Sequence, residues 1–234
     1  MDSVAILLAG GKGTRISTMS HGLPKPMIEV GGKPFIEYIL DFLVRNKFKK
    51  IIITVSFKYW VLRDEFGSNY KGCDLSWSIE ESPLGTGGAI KKVFSDFDLH
   101  TAFIFNADTF FNIDFEYFQL FCNLKNPCIG LALRRVKDVS RYGKVVVNKN
   151  GLITLFREKD DTGSGLINGG IYFVDRLIFQ FAPEGVYSFE EYIIKTSLKL
   201  KGVYGLECKG YFIDIGIPND LIRARKELPK VIKK

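Results

Sequence analysis

The chain has 234 residues, enough to bury a substantial core as one domain or as two small ones. Hydrophobic residues make up 46% and charged residues 25%, which is ordinary for a soluble globular protein. The net charge of +7 suits an anionic substrate, and would also suit nucleic acid or a membrane surface. Because the basic residues are scattered except near the C-terminus, we expect no nucleic acid partner.

No apolar run is long enough to span a bilayer, and no charged-then-apolar signal segment opens the sequence. We therefore expect a cytoplasmic protein with no membrane partner. The cysteines have spacings that fit neither a metal pair nor a compact disulfide framework, which favours free, mostly buried thiols: Cys73, Cys122, Cys128 and Cys208. With only His21 and His100 present, a histidine dyad or zinc site is poorly supported.

The first predicted strand covers Val4–Ala9 and leads directly into the glycine-rich stretch Gly10–Arg15. An apolar run with β-branched members is typical of a strand buried on both faces of a parallel sheet. Glycines after such a strand let a ligand approach the backbone, and successive N–H groups can form an anion cradle. Arg15 and Lys25 add positive charge at the same place. The pattern predicts a loop that binds the phosphates of a nucleoside triphosphate.

Two better-known phosphate loops do not fit this stretch. A Walker loop requires G-x-x-x-x-G-K-[ST], whereas Lys12 directly follows the second glycine. The dinucleotide fingerprint G-x-G-x-x-G requires a glycine where Ile16 stands.

From Gly32 to Ile79 the sequence alternates between helix and strand patterns. A helix is predicted from about Phe35 to Val44 and a short one over 59–66. Strands are predicted over 51–55 and 75–79, with a loop over 67–72 between the short helix and the second strand. This alternation predicts a parallel sheet with right-handed crossovers.

A second glycine-rich turn, Glu80–Ala89, begins a helix that runs through Phe94. Its backbone can pass along a flat ligand, with Thr86 as a hydroxyl donor. The next predicted strand ends at Asp108, at the carboxyl edge of the sheet, where ligands bind. Carboxylate oxygens there can hold Mg²⁺ between phosphate oxygens. Asp114 is predicted to cap a helix over 115–121.

The second half of the chain is predicted to contain strands over 129–133, 144–147 and 152–156. Asn148–Gly151 joins the last two as a hairpin. Ser188–Glu191 fits a capping box that begins a helix to about Leu200, and we interpret it as structural. The last predicted elements are a strand over 211–217, which carries Asp214, and a helix from Asn219 to about Leu228.

At these motifs the chain resembles the sugar-phosphate nucleotidyltransferase family, whose signature is roughly G-G-x-G-T-R-L, a spacer and P-K-P-M. Gly10–Arg15 and Pro24–Met27 carry this match, with Ile16 in place of leucine. The resemblance extends over nearly all of the chain. The chain is similar to bacterial D-glycero-D-manno-heptose 1-phosphate guanylyltransferases, especially in the stretches G-L-I-N-G-G-I-Y, S-F-E-E-Y and Y-F-I-D-I-G-I-P.

The resemblance implies an α/β fold with a Rossmann-like, mixed but mostly parallel central sheet flanked by helices. We expect a single nucleotidyltransferase domain over 1–234. Its nucleotide lobe would span about 1–125, its sugar-phosphate lobe about 126–217 and its C-terminal helix 218–234.

The resemblance also implies the binding residues. The nucleotide would contact Leu8, Ala9, Gly10, Gly11, Lys12, Gly13, Thr14, Glu80, Pro83, Leu84, Gly85, Thr86, Gly87 and Asn106. The sugar phosphate would contact Tyr142, Gly143, Glu158, Lys159, Asn168 and Gly169, with Lys159 on the phosphate. Asp108 and Asp214 would bind Mg²⁺, and the catalytic residues would be Arg15, Lys25 and Asp108. The chain departs from the family pattern at Ala107, Asp160 and Ile217.

The expected reaction joins GTP and D-glycero-D-manno-heptose 1-phosphate to give GDP-heptose and pyrophosphate, for surface polysaccharide synthesis. The attacking phosphate is already an anion, so no protein nucleophile or general base is required, and catalysis is positioning plus electrostatics. Arg15 would bind the triphosphate and the leaving pyrophosphate, and Lys25 the α-phosphate.

Other functions remain open at this stage. The acceptor could be mannose 1-phosphate with GTP, or glucose 1-phosphate with UTP, CTP or dTTP. A non-catalytic nucleotide-sugar sensor is a second class, and a nucleic-acid-binding module a third. A homo-oligomer is compatible with the sequence, which does not determine the number of subunits.

Overall fold

The structure is a computed structural model that describes residues 3–11, 22–56, 58–157, 162–194, 198 and 202–232. The chain divides into two compact units, each assembled from stretches that are separate in sequence. The first unit comprises Met1–Pro83, Phe105–Phe110 and Tyr211–Lys234, and the second comprises Leu84–Ile104 and Phe111–Gly210.

The elements up to residue 83 belong to the first unit. In chain order they are β1 (Val4–Leu8), a 3₁₀ turn (Lys25–Met27), β2 (Glu29–Val30), β3 (Lys33–Pro34), α1 (Phe35–Arg45), β4 (Lys50–Val55), α2 (Tyr59–Phe66), β5 (Asn69–Tyr70) and β6 (Cys73–Ile79).

The remaining elements follow in the order α3 (Gly85–Asp96), β7 (Thr101–Asn106), β8 (Thr109–Phe111), α4 (Phe115–Lys125), β9 (Ile129–Val136), β10 (Lys144–Val147), β11 (Ile153–Arg157), β12 (Gly165–Asp175), a 3₁₀ helix (Arg176–Phe181), a π-helical turn (Phe189–Ile194), β13 (Val203–Glu207), β14 (Phe212–Asp214) and α5 (Pro218–Ile232).

Parallel strands form the core of the first unit and confirm the predicted α/β class. β1 pairs with β4 and β4 with β6, both in parallel. The middle residues of β1 and β4 are fully buried, as their uninterrupted apolar runs predict. α1 covers the sheet with an apolar face that includes Phe42, whose ring meets that of Phe105 edge to face at 6.3 Å between centroids. Parallel pairing brings the carboxyl ends of these strands to one edge.

The loop predicted over 67–72 is wrong in part, because Asn69 and Tyr70 form β5 and pair antiparallel with the start of β6. The turn between them has φ +50° at Lys71 and +84° at Gly72. Positive φ at both central residues is the geometry of a tight hairpin. The Asn69 side-chain oxygen accepts a hydrogen bond from Gly72 N at 3.1 Å, which stabilises the turn locally.

Antiparallel strands dominate the second unit. β12 pairs with β9 and β10, β10 pairs with β11, and β13 joins β9 in parallel. The predicted hairpin at Asn148–Gly151 is confirmed: Gly151 has φ +82°, and Asn148 Oδ1 accepts from Asn150 N and Leu152 N. β13 has no counterpart among the predicted elements.

The sequence predicts the start of α4 correctly but places the ends of α4 and α5 too early. Asp114 caps α4 as predicted, since its side chain accepts from Tyr117 N at 3.0 Å, but the helix continues to Lys125 instead of ending at Phe121. α5 runs to Ile232, past the end near Leu228 that its own pattern predicts but within the C-terminal helix expected over 218–234, and Pro229 lies inside it. Pro229 packs on Gly31, where a Cβ would lie 2.2 Å from its Cγ.

Among the helices that the structure describes, none is long and apolar enough to cross a membrane.

Candidate active site

The carboxyl edge of the first unit gathers several residues predicted to bind nucleotide. Ala9 N donates to Thr54 O at 3.0 Å, and Glu80 N donates to Val55 O at 2.8 Å, so the residues after β1 and β6 both meet the end of β4. Ser56 Oγ donates to Gly10 O at 2.7 Å. These bonds hold the start of the glycine-rich loop in a defined position at the sheet edge.

Gly10 packs closely against Glu80. A Cβ at this position would lie 2.9 Å from Glu80 Oε1, closer than side chains normally approach. Glu80 is itself buried. Gly11, in contrast, is exposed and has open space where a Cβ would be. Its predicted role in phosphate binding therefore depends on backbone freedom and on access for a ligand.

Four predicted nucleotide or catalytic residues, Lys12, Gly13, Thr14 and Arg15, lie outside the described residues, as do the predicted sugar-phosphate residues Glu158 and Lys159. Their roles stay predictions from the sequence. Asn106 is described and is half-buried at the end of β7.

Lys25 reaches the same edge from the P-K-P-M motif. Pro24 precedes the 3₁₀ turn with φ −54°. Pro26 and Met27, which follow Lys25 in the turn, are buried and anchor it. Lys25 Nζ lies 2.6 Å from Asp108 Oδ2, with the Lys25 side chain 12% exposed and that of Asp108 40% exposed. The contact brings one positive and one negative charge together at the carboxyl edge of the sheet.

Asp108 and Asp214 lie on neighbouring stretches of backbone. Ala107 N donates to Leu8 O at 3.1 Å, which places Asp108 beside the end of β1. Ile215 N donates to Asp108 O at 2.9 Å, so the residue after Asp214 is bonded to Asp108 itself. Asp214 Oδ1 accepts from Gly216 N at 2.7 Å, and a Cβ on Gly216 would lie 2.9 Å from that oxygen. Glycine at 216 therefore lets the carboxylate turn back over its own backbone.

This pair of carboxylates fits the chemistry of Mg²⁺. No group of three or more His, Cys, Asp or Glu side chains that could hold a metal ion is found in the described part of the chain. Mg²⁺ is usually bound by one or two carboxylates and completes its coordination with water and substrate phosphates. Asp108 and Asp214 would suit an ion that arrives with a nucleotide, because the phosphates of that nucleotide would supply the missing oxygens.

The second glycine-rich turn belongs to the second unit from Leu84 onwards. Tyr187 packs against it: Gly87 N donates to Tyr187 O at 3.0 Å and Tyr187 N donates to Leu84 O at 3.1 Å. A Cβ on Gly87 would lie 2.2 Å from the Tyr187 ring, and one on Gly85 would lie 2.5 Å from Tyr187 O. These glycines are thus demanded by a protein contact that the sequence does not reveal.

Thr86, Pro83 and Gly85 in this turn are exposed, and Leu84 is half-buried. The Thr86 hydroxyl accepts a hydrogen bond from Phe189 N at 2.9 Å. No acceptor for the hydrogen of this hydroxyl is found among the described residues, so the predicted donation to a ligand stays compatible with the structure.

Asn168 is positioned by an irregularity in β12. The pairing with β9 shifts between Asn168 and Tyr172, and Gly170 has φ +77°. Gly170 N donates to Asn168 Oδ1 at 3.0 Å, which fixes the amide. A Cβ on Gly169 would lie 2.5 Å from the Phe111 ring, so this residue is glycine for packing. The sequence N-G-G therefore produces a bulge that turns Asn168 out of the regular ladder.

Glu190 joins Asn168 in a hydrogen-bond cluster that the sequence analysis did not predict. Asn168 Nδ2 donates to Tyr172 Oη at 2.6 Å and to Glu190 Oε1 at 2.7 Å. Tyr172 Oη in turn donates to Glu190 Oε1 at 2.7 Å. The capping interaction predicted nearby is present, because Ser188 Oγ accepts from Glu191 N at 3.3 Å. No local signal separates Glu190 from Glu191, because the contacts of Glu190 are made to another strand.

Tyr142 and Gly143 form a turn before β10. Both N–H groups donate to Val139 O, at 2.9 and 3.1 Å, and Gly143 has φ +79°. The Arg141 guanidinium lies over the Tyr142 ring, 5.0 Å from its centroid. These contacts stabilise the turn, and its predicted contact with a sugar stays a prediction.

Comparison with known proteins adds a family and three relatives. The sequence pattern of a family described as nucleotidyl transferase matches residues 4–231. The chain is 42% identical over 217 residues to D-glycero-alpha-D-manno-heptose 1-phosphate guanylyltransferase of Campylobacter jejuni, which covers 92% of this chain and 96% of that protein.

A protein of the same name from Aneurinibacillus thermoaerophilus is 37% identical over 230 residues, with 97% and 99% of the two chains covered. Among solved structures, HddC from Yersinia pseudotuberculosis in complex with GMP-PN superimposes with a TM-score of 0.84 at 31% identity, covering 97% of this chain and 99% of that one. Similarity of this extent includes both of the compact units.

Proposed function

Because the chain belongs to the nucleotidyl transferase family, we propose that it joins GTP and D-glycero-D-manno-heptose 1-phosphate to give GDP-heptose and pyrophosphate. The substrates are those in the names of the two guanylyltransferases to which it is 42% and 37% identical. A guanine nucleotide analogue is also named in the complex of its structural relative.

The observation that carries the chemistry is the arrangement of Lys25, Asp108 and Asp214. Lys25 Nζ is 2.6 Å from Asp108 Oδ2, and the Asp108 backbone is bonded to the residue after Asp214. All three residues lie in the first unit, at the carboxyl edge where open α/β sheets bind nucleotides. One cation and two carboxylates at this edge suit phosphoryl chemistry that depends on neutralising charge.

In the proposed reaction an oxygen of the sugar phosphate attacks the α-phosphorus of GTP. A new phosphorus–oxygen bond forms while the bond to the bridging oxygen breaks, and pyrophosphate leaves with that electron pair. The nucleophile is already ionised at neutral pH, so no residue has to remove a proton. Lys25 holds the negative charge of the α-phosphate during this inversion, and Arg15 and the backbone of residues 11–15 bind the departing pyrophosphate.

Asp108 and Asp214 would hold Mg²⁺, which when bound neutralises charge on the phosphate oxygens. The Lys25 contact orients the Asp108 carboxylate before any ligand binds. Lys159 is assigned to the phosphate of the sugar, and Glu158, Asn168, Gly169, Tyr142 and Gly143 to the sugar itself. We further propose that the product supplies the synthesis of a surface polysaccharide, capsule or lipopolysaccharide, from the cytoplasm.

The function is tested by following pyrophosphate release with Mg²⁺, each of the four nucleoside triphosphates and a panel of sugar 1-phosphates. We expect release with GTP and D-glycero-D-manno-heptose 1-phosphate, and none when Mg²⁺ is removed by a chelator. Faster release with mannose 1-phosphate, or with a pyrimidine triphosphate and glucose 1-phosphate, would change the substrate assignment. Nucleotide-sugar binding without release in any combination would identify a sensor instead of an enzyme.

A further inference from the structure

We propose that Glu190 is a sugar-binding residue, acting with Asn168 as a pair of hydrogen-bond acceptors for sugar hydroxyl groups. This inference rests on the proposed function, because it names a further contact to the acceptor sugar. It starts from the cluster of Asn168, Tyr172 and Glu190, all in the second unit.

The donors of this cluster are already used inside the protein. The two amide hydrogens of Asn168 go to Tyr172 Oη and Glu190 Oε1, and the Tyr172 hydroxyl hydrogen goes to the same carboxylate oxygen. None of these hydrogens is left for a ligand.

Acceptors, in contrast, remain. Asn168 Oδ1 accepts one bond, from Gly170 N at 3.0 Å, and a carbonyl oxygen has two lone pairs. Glu190 accepts both of its hydrogen bonds through Oε1, and within the described residues its Oε2 has no partner. A ligand for this place must therefore bring its own hydrogens. A phosphate group is excluded by its charge beside a carboxylate, whereas sugar hydroxyls are suitable donors.

Buried aromatic residues support the cluster on one side, and two of its three side chains remain partly exposed. Tyr172 is 2% exposed and its ring meets the buried Phe189 ring edge to face, with centroids 5.4 Å apart. Phe189 N is bonded to Thr86 Oγ1, which ties the segment to the second glycine-rich turn. Asn168 and Glu190 are only half-buried, so a ligand can reach them. Oriented acceptors can discriminate between sugars, because a sugar that lacks the matching hydroxyl leaves an acceptor without its hydrogen bond and binds more weakly.

Glu190→Gln tests the proposal sharply. The glutamine Oε1 can keep both internal hydrogen bonds, while Nε2 replaces the acceptor Oε2 with a donor. Because the variant loses a hydrogen bond to a charged group, we expect KM for the sugar 1-phosphate to rise about tenfold or more. The KM for GTP and kcat should stay within about twofold, as for a group that binds substrate and transition state equally.

Glu191→Gln is the matched control, because it makes the same charge change at an exposed neighbour on the same turn. It should leave both KM values unchanged. A panel of D-mannose 1-phosphate and its monodeoxy analogues locates the hydroxyl. The wild type should lose affinity for the analogue that lacks the recognised group, and Glu190→Gln should not lose it further.

An unchanged KM for the sugar 1-phosphate in a folded Glu190→Gln variant would overturn the inference, as would a parallel rise in the KM for GTP with a lowered Tm, which indicates a structural role. If Glu190→Gln does not fold, Glu190→Asp keeps the charge but withdraws the carboxylate, and the same criteria apply to it. Failure of the proposed function itself is distinguishable, because then the wild type releases no pyrophosphate with any acceptor.

Discussion

Lys25 and Asp108 are 83 positions apart in the chain, yet their side chains meet at 2.6 Å. The backbone conformation at Lys25 depends on neighbouring residues, whereas the partner of its side chain depends on the tertiary structure. The P-K-P-M motif determines its own 3₁₀ turn, because proline restricts the backbone and the following apolar residues are buried. Which carboxylate the lysine meets depends on the order of strands in the sheet.

Asp108→Asn tests the role of the charge on this carboxylate. The change removes a charge that is proposed to bind Mg²⁺ while keeping the shape of the side chain, so we expect kcat with GTP to fall far below a tenth of the wild-type value. The Tm should change little, because an ion pair with a 40% exposed carboxylate contributes little stability. Steady-state pyrophosphate release and thermal unfolding provide the two readouts.

Asp98→Asn is the control, because this exposed acid, ion-paired with Arg176, undergoes the same charge change in a different part of the fold. It should retain wild-type kcat. An Asp108→Asn variant with more than about a tenth of the wild-type rate, a barrier change below about 1.4 kcal/mol, would contradict a metal-binding role for Asp108.

The cysteines give a second prediction for single residues. Cys122 and Cys208 are free and buried, and burial raises the pKa of each thiol to about 12. Because the thiolate is the reactive form, both should resist a thiol-specific reagent at pH 8 in the native protein and react after denaturation. Cys128 is less buried and should react first. Mass spectrometry of the labelled peptides identifies the order, and early labelling of Cys122 would disprove this account.

Among the structural elements, the turn that begins α3 packs against Tyr187, a residue far from it in the sequence. The sequence predicts that the glycines of P-L-G-T-G-G let the backbone pass along a flat ligand. In the structure the same glycines receive Tyr187, which forms reciprocal backbone hydrogen bonds with Leu84 and Gly87. The two explanations are compatible, because a turn held from behind by protein can still present its exposed residues to a nucleotide.

Gly87→Ala tests this packing at the level of the element. The added Cβ would lie 2.2 Å from the Tyr187 ring, and overpacking of this kind typically costs about 1–3 kcal/mol of unfolding free energy. Because the ring causes the clash, Tyr187→Ala in the same chain should recover part of that loss. The double variant should therefore lose less unfolding free energy than the two single variants lose together. Strict additivity in chemical denaturation would show that Gly87 and Tyr187 do not interact.

For the molecule as a whole, stability should depend on pH through Asp41. Its carboxylate accepts hydrogen bonds from Lys33 Nζ at 2.5 Å, Lys71 Nζ at 2.6 Å and Tyr70 Oη at 2.8 Å. Burial alone would raise the pKa of Asp41, but these three hydrogen bonds outweigh it and hold the pKa below the ordinary value of 3.8. The cluster connects α1 to β3 and to the β5–β6 hairpin.

A lowered pKa in the folded state means that the folded protein binds this proton less readily than the unfolded chain. The stabilisation is therefore complete above the unfolded pKa and disappears as the pH falls through the folded pKa. We expect Asp41→Asn to lower the unfolding free energy at pH 7 by about 1–3 kcal/mol. The difference from wild type should shrink below about pH 4.

Urea unfolding at several pH values measures this effect. Asp64→Asn, on the exposed face of α2, removes one negative charge at another place and serves as the control, with an unfolding free energy at pH 7 close to that of the wild type. A constant difference between wild type and Asp41→Asn from pH 7 down to pH 3 would rule out the charge as its source.

Much of the fold follows from local patterns, and particular residues show why. Asp114 caps α4 and Asn148 forms its hairpin because each side chain bonds to backbone only two to four positions away. The Lys71-Gly72 turn escaped prediction although it is local, because lysine rarely adopts positive φ. The extension of α5 through Pro229 depends instead on packing against Gly31.

By itself the sequence determined the α/β class, the parallel order of the first strands and the motifs that identify the nucleotidyl transferase family. Those features depend on hydrophobic periodicity and on backbone requirements within a few residues. Only the tertiary structure decided that the backbones of Asp108 and Asp214 adjoin, that Tyr187 fills the second glycine-rich turn and that Glu190 meets Asn168. These contacts join residues from 22 to more than 100 positions apart. Hydrogen bonds and packing across strands specify such pairs, and no spacing along the chain encodes them.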